Sequence, residues 1–269
     1  MNYVNKLDSP KRKLYFFALS KKIALKNFFL AKKKNQYLFI LSPPFCGSTL
    51  LTEIISTSIN VSCNNYLGLR EGQHLPKAHN LLFSEDRWNP EKEIDWNRIK
   101  KIWNKYWDRS KSILLEKSPP NICRANNIDN IFSNSKYICL IRNPYAQIQS
   151  NIRRYNTDPK TATEKYISYL KFQKNNIETL KNTLIISYEE LSSNPLKTKN
   201  KICDFIPELN DINVNLKFSA HNMYQKKQMG ILNLNKASIA SLDKKQIKII
   251  NNLLKNEIEL IKYFKYSLL

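Results

Sequence analysis

The residues best placed to do chemistry stand where apolar runs end. In "YLFILSPPFCGSTLLTEII", Tyr37 to Ile55, the apolar run stops at Ser42, passes Pro43, Pro44 and Gly47, one of only four glycines in 269 residues, and resumes at Leu50, Leu51, Ile54 and Ile55 with helical spacing. A small, hydroxyl-rich turn between a strand and a helix presents backbone N–H groups and the positive end of a helix dipole to an anion, most often a phosphate. Three further β-like runs, "SILLEKS" (112–118), "YICLIR" (137–142) and "TLIISYE" (183–189), exit into Glu116–Lys117, Arg142–Asn143 and Tyr188–Glu189–Glu190.

Segments with helical periodicity separate these runs. Alternating strands and helices imply a three-layer α/β domain, a central parallel sheet with helices on both faces and ligands at the carboxyl ends of its strands. Asp95 is placed to cap a helix whose Trp96, Ile99, Trp103, Tyr106 and Trp107 share a face, an aromatic stripe assigned to the core. A capping residue precedes Pro159 at the start of another helix, and Ser241 is expected to open a long final helix carrying Ile247, Ile250, Leu254, Ile258 and Ile261. With no internal repeat or low-complexity linker, residues 37–269 read as one domain, preceded by a basic helical extension over 1–36.

Lys and Arg number 44 against 22 Asp and Glu, so the net charge is +22. Such an excess attracts polyanions, anionic cofactors or anionic membrane surfaces without choosing among them. No nucleic-acid motif or aromatic platform on a strand accompanies it, and no nucleic-acid partner is expected. The five cysteines are scattered without a CxxC pair and only three histidines accompany them, which argues against a metal site or a disulfide framework and for reduced thiols in a cytoplasmic protein. In the extension, basic clusters at Lys11–Lys13, Lys21–Lys22 and Lys32–Lys34 alternate with short apolar pieces that fall well below the roughly 20 residues a bilayer span needs, leaving peripheral membrane contact as an open alternative to a plain helix.

The turn does not fit the common nucleotide loops. GxxxxGK[ST] requires a lysine after its second glycine, and here Gly47 is followed by Ser48 and Thr49; a GxGxxG fingerprint is also missing. "PFCGST", Pro44 to Thr49, instead resembles the loop that wraps the 5′-phosphosulfate in sulfotransferases using 3′-phosphoadenosine 5′-phosphosulfate (PAPS). That family also carries an Arg after a later strand and a Ser eight positions on, which bind the 3′-phosphate, and "LIRNPYAQIQS" supplies Arg142 and Ser150. "LLEKSPP" is similar to the family's E-K-[ST]-P segment, and "LIISYEELSSNPLKTKNKICDFI" to its later strand, Tyr-Glu-[Asp/Glu]-Leu and Asn-Pro, whose tyrosine lies near the adenine.

The resemblance implies a P-loop NTPase-like sulfotransferase fold and transfer of a sulfuryl group from PAPS, without a metal, to an acceptor hydroxyl or amine on a small molecule, glycan or peptide. Pro44, Phe45, Cys46, Gly47, Ser48, Thr49, Arg142, Ser150, Tyr188 and Lys236 are its expected cofactor-binding residues, with Lys226 and Lys227 as further candidates in a lid. Transfer needs a base for the acceptor proton and positive charge where the leaving phosphate develops its own. Where the family usually has Lys or Arg in the first loop this chain has Phe45, and the lysine of the E-K-[ST]-P segment, Lys117, takes that role by resemblance. Glu71 is the expected base, oriented by Arg70 or Lys117, and His74 the second candidate. The alternative is a catalytically impaired nucleotide-binding protein of the same fold, or, further off, a basic nucleic-acid-binding protein.

Overall fold

A strand buried on both faces needs an uninterrupted apolar run, and such runs here make one parallel sheet. The computed structural model describes residues 9–217 and 230–269, and the candidates Lys226 and Lys227 lie outside the described residues. Its strands are β1 (Gln36–Leu41), β2 (Val61–Cys63), β3 (Ile113–Glu116), β4 (Ser135–Ile141) and β5 (Thr183–Ser187), ordered β2-β3-β1-β4-β5 with every neighbouring pair parallel. β1 is central, and the strand order reverses beside it, which is where such sheets open a crevice at their carboxyl ends. Phe39 pairs with Glu116 on one side and Leu41 with Cys139 on the other. That register brings Lys117 and Arg142 to opposite flanks of the turn after β1. Four strands were expected; β2 adds a fifth, too short at three residues to show a periodicity.

The period of two along β1 divides the core. Phe39 and Leu41 point into a cluster with Trp103, Trp107 and Phe132, while Leu38 and Ile40 point into another with Leu51, Ile54 and Ile202. The first layer is built by α1 (Pro10–Leu30), α4 (Trp96–Trp103) and α5 (Ala125–Ile131), with the short α3 (His79–Leu82) at its border. The second uses α2 (Ser48–Ile55) and α9 (Pro195–Phe205). A third cluster joins α6 (Pro144–Tyr155) and α7 (Pro159–Thr179) to the carboxyl-terminal helices α11 (Lys244–Lys255) and α12 (Ile258–Tyr263). All five residues of the aromatic stripe are buried, each burial contributing on the order of 1.5–3 kcal/mol. Asp95 accepts from the Arg98 N–H and Asp158 from that of Thr161, so both helices begin at their expected caps.

Two boundaries differ from expectation. The run 183–189 leaves the sheet at Ser187, because Ser187 and Glu190 form a reciprocal capping box that starts α8 (Tyr188–Ser193). The final helix does not open at Ser241, which instead ends α10 (Asn235–Ala240); Asp243 and Gln246 make the capping box that starts α11, and the backbone of Glu257 leaves helical geometry before α12. Among the described residues no helix is long and apolar enough to cross a membrane.

Candidate functional site

The turn after β1 is held in a conformation few residues tolerate. Phe45 has φ 66° and Gly47 φ 87°, and a Cβ on Gly47 would come within 2.6 Å of the Tyr188 ring. Glycine is therefore required twice over, for the left-handed backbone and for the ring that closes on it. Gly47 ends the turn as the N-cap of α2, so Ser48 and Thr49 stand in the first turn, where the helix leaves N–H groups free for an anion. Gln147, one turn into α6, pins the loop from behind: its amide donates to the Pro44 carbonyl at 3.0 Å and accepts from the Cys46 thiol at 3.0 Å. Burial pushes that thiol well above the usual range. Cys46 thus packs inward as a neutral side chain and does not line the cavity described below.

Arg142 leaves β4 directly beside this loop. Its Nη1 donates to the Phe45 carbonyl at 2.7 Å and lies 3.5 Å from Ser150 Oγ; its Nε donates to Asn235 Oδ1 at 2.8 Å. The guanidinium sits 4.4 Å over the Tyr188 ring, whose hydroxyl is tied to Leu232 and Leu234. Every hydrogen-bond partner of Arg142 among the described residues is uncharged, and Glu189 acts on its charge from beyond Asn235 without a direct ion pair, so the guanidinium can still pair with an anion. Asn143 caps α6 and Pro144 occupies its first turn, so Ser150 falls two turns along on the same side as Arg142. Sequence reasoning missed the support of this arginine. Glu189 accepts from the Asn143 N–H, from Asn235 Nδ2 and from Tyr266, and so fixes the asparagine that orients Arg142.

The third part comes from the other flank. Lys117 Nζ and Glu71 Oε1 form an ion pair at 2.9 Å with both side chains almost wholly buried, and His74 Nε2 lies 3.3 Å from the second carboxylate oxygen. Burial alone would raise the Glu71 carboxyl, but the Lys117 ammonium and His74 outweigh it and hold the group down at about 2. Arg70, the other candidate to orient Glu71, turns away to a two-pronged ion pair with Glu53. The segment carrying Glu71 is anchored by Glu116, whose carboxylate accepts from the Gly72 N–H at 3.1 Å, Asn64 Nδ2 at 2.7 Å and the Ser118 hydroxyl. Trp103 Nε1 donates to the Gly72 carbonyl at 3.3 Å. A Cβ on Gly72 would lie 2.4 Å from Glu116 Oε2, so that backbone approach also demands glycine.

These parts open onto one cavity of about 490 Å³. Pro44, Phe45, Gly47, Ser48, Thr49, Glu71, His74, Lys117, Arg142, Ser150 and Tyr188 all line it, whereas Lys236 is exposed and, like Cys46, is not among the lining residues. The neighbouring Asn235 is the residue of that segment that touches Arg142. Arg87, Arg153 and Arg154 add positive charge, and Phe83, Trp88 and Tyr155 an aromatic wall, none of which the sequence patterns marked. The Phe45 ring meets Tyr155 edge-on at 5.5 Å, so Phe45 belongs to this wall. Among the described residues no group of three or more His, Cys, Asp or Glu side chains is placed to hold a metal ion.

Comparison with known proteins agrees with this architecture. A profile described as "Sulfotransferase family" matches residues 37–209, more than half of the chain. Among solved structures, the chain is similar to the sulfotransferase domain of the Synechococcus PCC 7002 olefin synthase (TM-score 0.54, 19% identity, 84% of this chain and 97% of that one). A sulfotransferase from Mycobacterium avium gives a TM-score of 0.53 at 11% identity over 93% of this chain and 82% of that one. One from Alicyclobacillus acidocaldarius gives 0.52 at 12% identity over 88% and 98%. No curated protein matches significantly by sequence. The central parallel sheet, its turn after β1 and the match over residues 37–209 lead to one conclusion: this chain belongs to the sulfotransferase family and has its fold.

Proposed function

We propose that the chain is a PAPS-dependent sulfotransferase acting on an acceptor hydroxyl or amine. The observation that carries this reading is the meeting, in one cavity, of two anion-binding features and an acid–base pair: the Pro44–Thr49 turn, Arg142 with Ser150, and Lys117 with Glu71. A donor with phosphates at both its 5′ and 3′ positions fits that pattern, since the turn offers N–H groups and hydroxyls while Arg142 offers a guanidinium without a direct ion pair among the described residues. PAPS supplies the sulfuryl group: its sulfur–oxygen bond to the 5′-phosphate breaks as a bond to the acceptor oxygen or nitrogen forms, and the acceptor proton must leave.

The chain's own residues divide the remaining work. Glu71 is held ionised and so has a free lone pair to take that proton. Lys117 supplies positive charge where the leaving phosphate gains negative charge, from the end of β3 rather than from the first loop, where Phe45 stands. An ammonium drawn toward a bound anion neutralises Glu71 less, and a buried carboxylate with less neutralisation is a stronger base. His74 orients the carboxylate from its second oxygen. The half-buried aromatic and proline surface of Pro119, Phe83 and Trp88 gives the cavity an apolar wall for the acceptor.

The test is release of 3′,5′-bisphosphoadenosine from PAPS in the presence of an acceptor panel of phenols, alcohols, sugars and amines. Lys117→Ala and Glu71→Gln are each expected to lower kcat/KM at least about tenfold while donor affinity changes less. Turnover that survives both substitutions would remove the assignment. Tight bisphosphate binding with no turnover on any acceptor would favour the impaired nucleotide binder, a reading that Phe45 alone supports.

A further inference from the structure

Helix α1 is apolar on two opposite sides, and the fold uses only one of them. Phe16 and Ile23 are buried, with Phe16 edge-on to Tyr106 at 5.6 Å, which fixes the inner side. On the opposite side Leu14, Phe17, Leu25 and Phe28 are 68%, 61%, 65% and 82% exposed, and Phe29 follows at 71%. Their spacing puts them on one stripe along the helix. The stripe cannot roll inward, because the far end of α1 is clamped: Asn27 donates to the Trp107 carbonyl and accepts from the Arg109 N–H, and Lys26 pairs with Asp108. So long a run of exposed Phe and Leu marks an interaction surface.

The charges around the stripe identify its partner. Residues 9–36 hold nine Lys and Arg and no Asp or Glu. Exposed Lys21 sits within the stripe between Phe17 and Leu25, exposed Lys22 borders it, and exposed Lys32, Lys33 and Lys34 continue beyond its end. The Lys21 ammonium lies over the Phe17 ring at 5.5 Å, and a lysine in that position can extend its charge to a headgroup while its stem stays among the apolar side chains. A second copy of the chain would bring these lysines against each other, and a nucleic acid would leave the Phe and Leu side chains in water. We infer that α1 is an interfacial helix that seats its outer stripe in the surface of an anionic lipid membrane, with the lysines on the headgroups. Its first turn abuts the cavity wall on the inner side, where the Arg12 guanidinium lies 3.4 Å from the His74 carbonyl, so α1 stands between its outer stripe and the candidate active site.

The experiment is co-sedimentation of the full chain with phosphatidylcholine vesicles and with mixed phosphatidylcholine–phosphatidylglycerol vesicles, alongside light scattering of the chain alone. The chain is expected to bind the anionic vesicles at least about tenfold more tightly than the neutral ones, and less tightly as salt is raised. Leu25→Ser with Phe28→Ser is expected to abolish that binding with no fall in thermal stability, since both side chains are exposed; Lys33→Gln with Lys34→Gln is expected to weaken it. A chain that stays in the supernatant with anionic vesicles overturns the inference. So does anionic-vesicle binding unchanged by the Leu25 and Phe28 substitutions, or a stable dimer of the chain alone that those substitutions dissolve.

Discussion

Arg142 serves three neighbours with one guanidinium, the Phe45 carbonyl, the Ser150 hydroxyl and the Asn235 side chain, and the single ammonium of a lysine cannot reproduce that spread of contacts. Arg142→Lys keeps the charge and loses the fork, so affinity for 3′,5′-bisphosphoadenosine is expected to fall about 10- to 100-fold, the equivalent of one charge-assisted hydrogen bond. Titration calorimetry reads it directly, and unchanged affinity would take Arg142 out of the site. Gly47 gives a different kind of prediction. Gly47→Ala must accept φ 87° and a contact of 2.6 Å with the Tyr188 ring, so thermal unfolding is expected to show a loss of about 1–3 kcal/mol. A variant as stable as the parent would mean that the turn relaxes freely and that its conformation is not held for binding. Both residues were legible in the sequence because each belongs to a short contiguous pattern. Asn235 and Glu189 were not, because their work on Arg142 depends on segments 93 and 46 residues apart folding to one point.

At the scale of elements, β3 delivers two adjacent acid–base groups to different tasks. Its last residue, Glu116, turns into the protein and anchors the Glu71–His74 segment, while Lys117 turns to Glu71 itself. Complete burial pushes the Glu116 carboxyl up to about 7, with the Glu71 charge adding to the rise against the hydrogen bonds from Ser118 and Asn64. A carboxyl whose folded pKa is raised favours the fold most below its unfolded value near 4.5, and that advantage is lost as pH climbs through about 7. The stability of the parent relative to Glu116→Gln is therefore expected to fall by roughly 3 kcal/mol between pH 4.5 and 7.5 in denaturant titrations, and to stay nearly flat above. Glu71 runs the opposite way: its depressed pKa gives stability present above about 4.5 and lost as pH falls toward 2. A pH-independent difference for Glu116→Gln would mean that the buried carboxyl does not change protonation state in this window. The strand ends were legible from apolar runs closing in charged residues. The inward turn of Glu116 was not, since a strand-end acid followed by a lysine carries no signal for which side chain faces the core.

At the scale of the whole molecule, the +22 charge is not spread for solubility alone. One part of it converges on the cavity through Lys117, Arg142 and the three further arginines, and another borders the outer stripe of α1. Composition gave the size of this charge but not its placement, which depends on the sheet order and on which side of α1 meets Tyr106. The central claim is that the turn after β1 and the Arg142–Ser150 pair grip opposite ends of one adenosine compound. Thermal shift with 3′,5′-bisphosphoadenosine, AMP and ATP, on the parent and on Arg142→Ala, tests it most directly. The account predicts that the bisphosphate at saturating concentration raises the parent's midpoint by about 5–10 °C, well above the other two nucleotides, and that Arg142→Ala erases the preference. An equal response to all three nucleotides, or a preference that persists without Arg142, would contradict it.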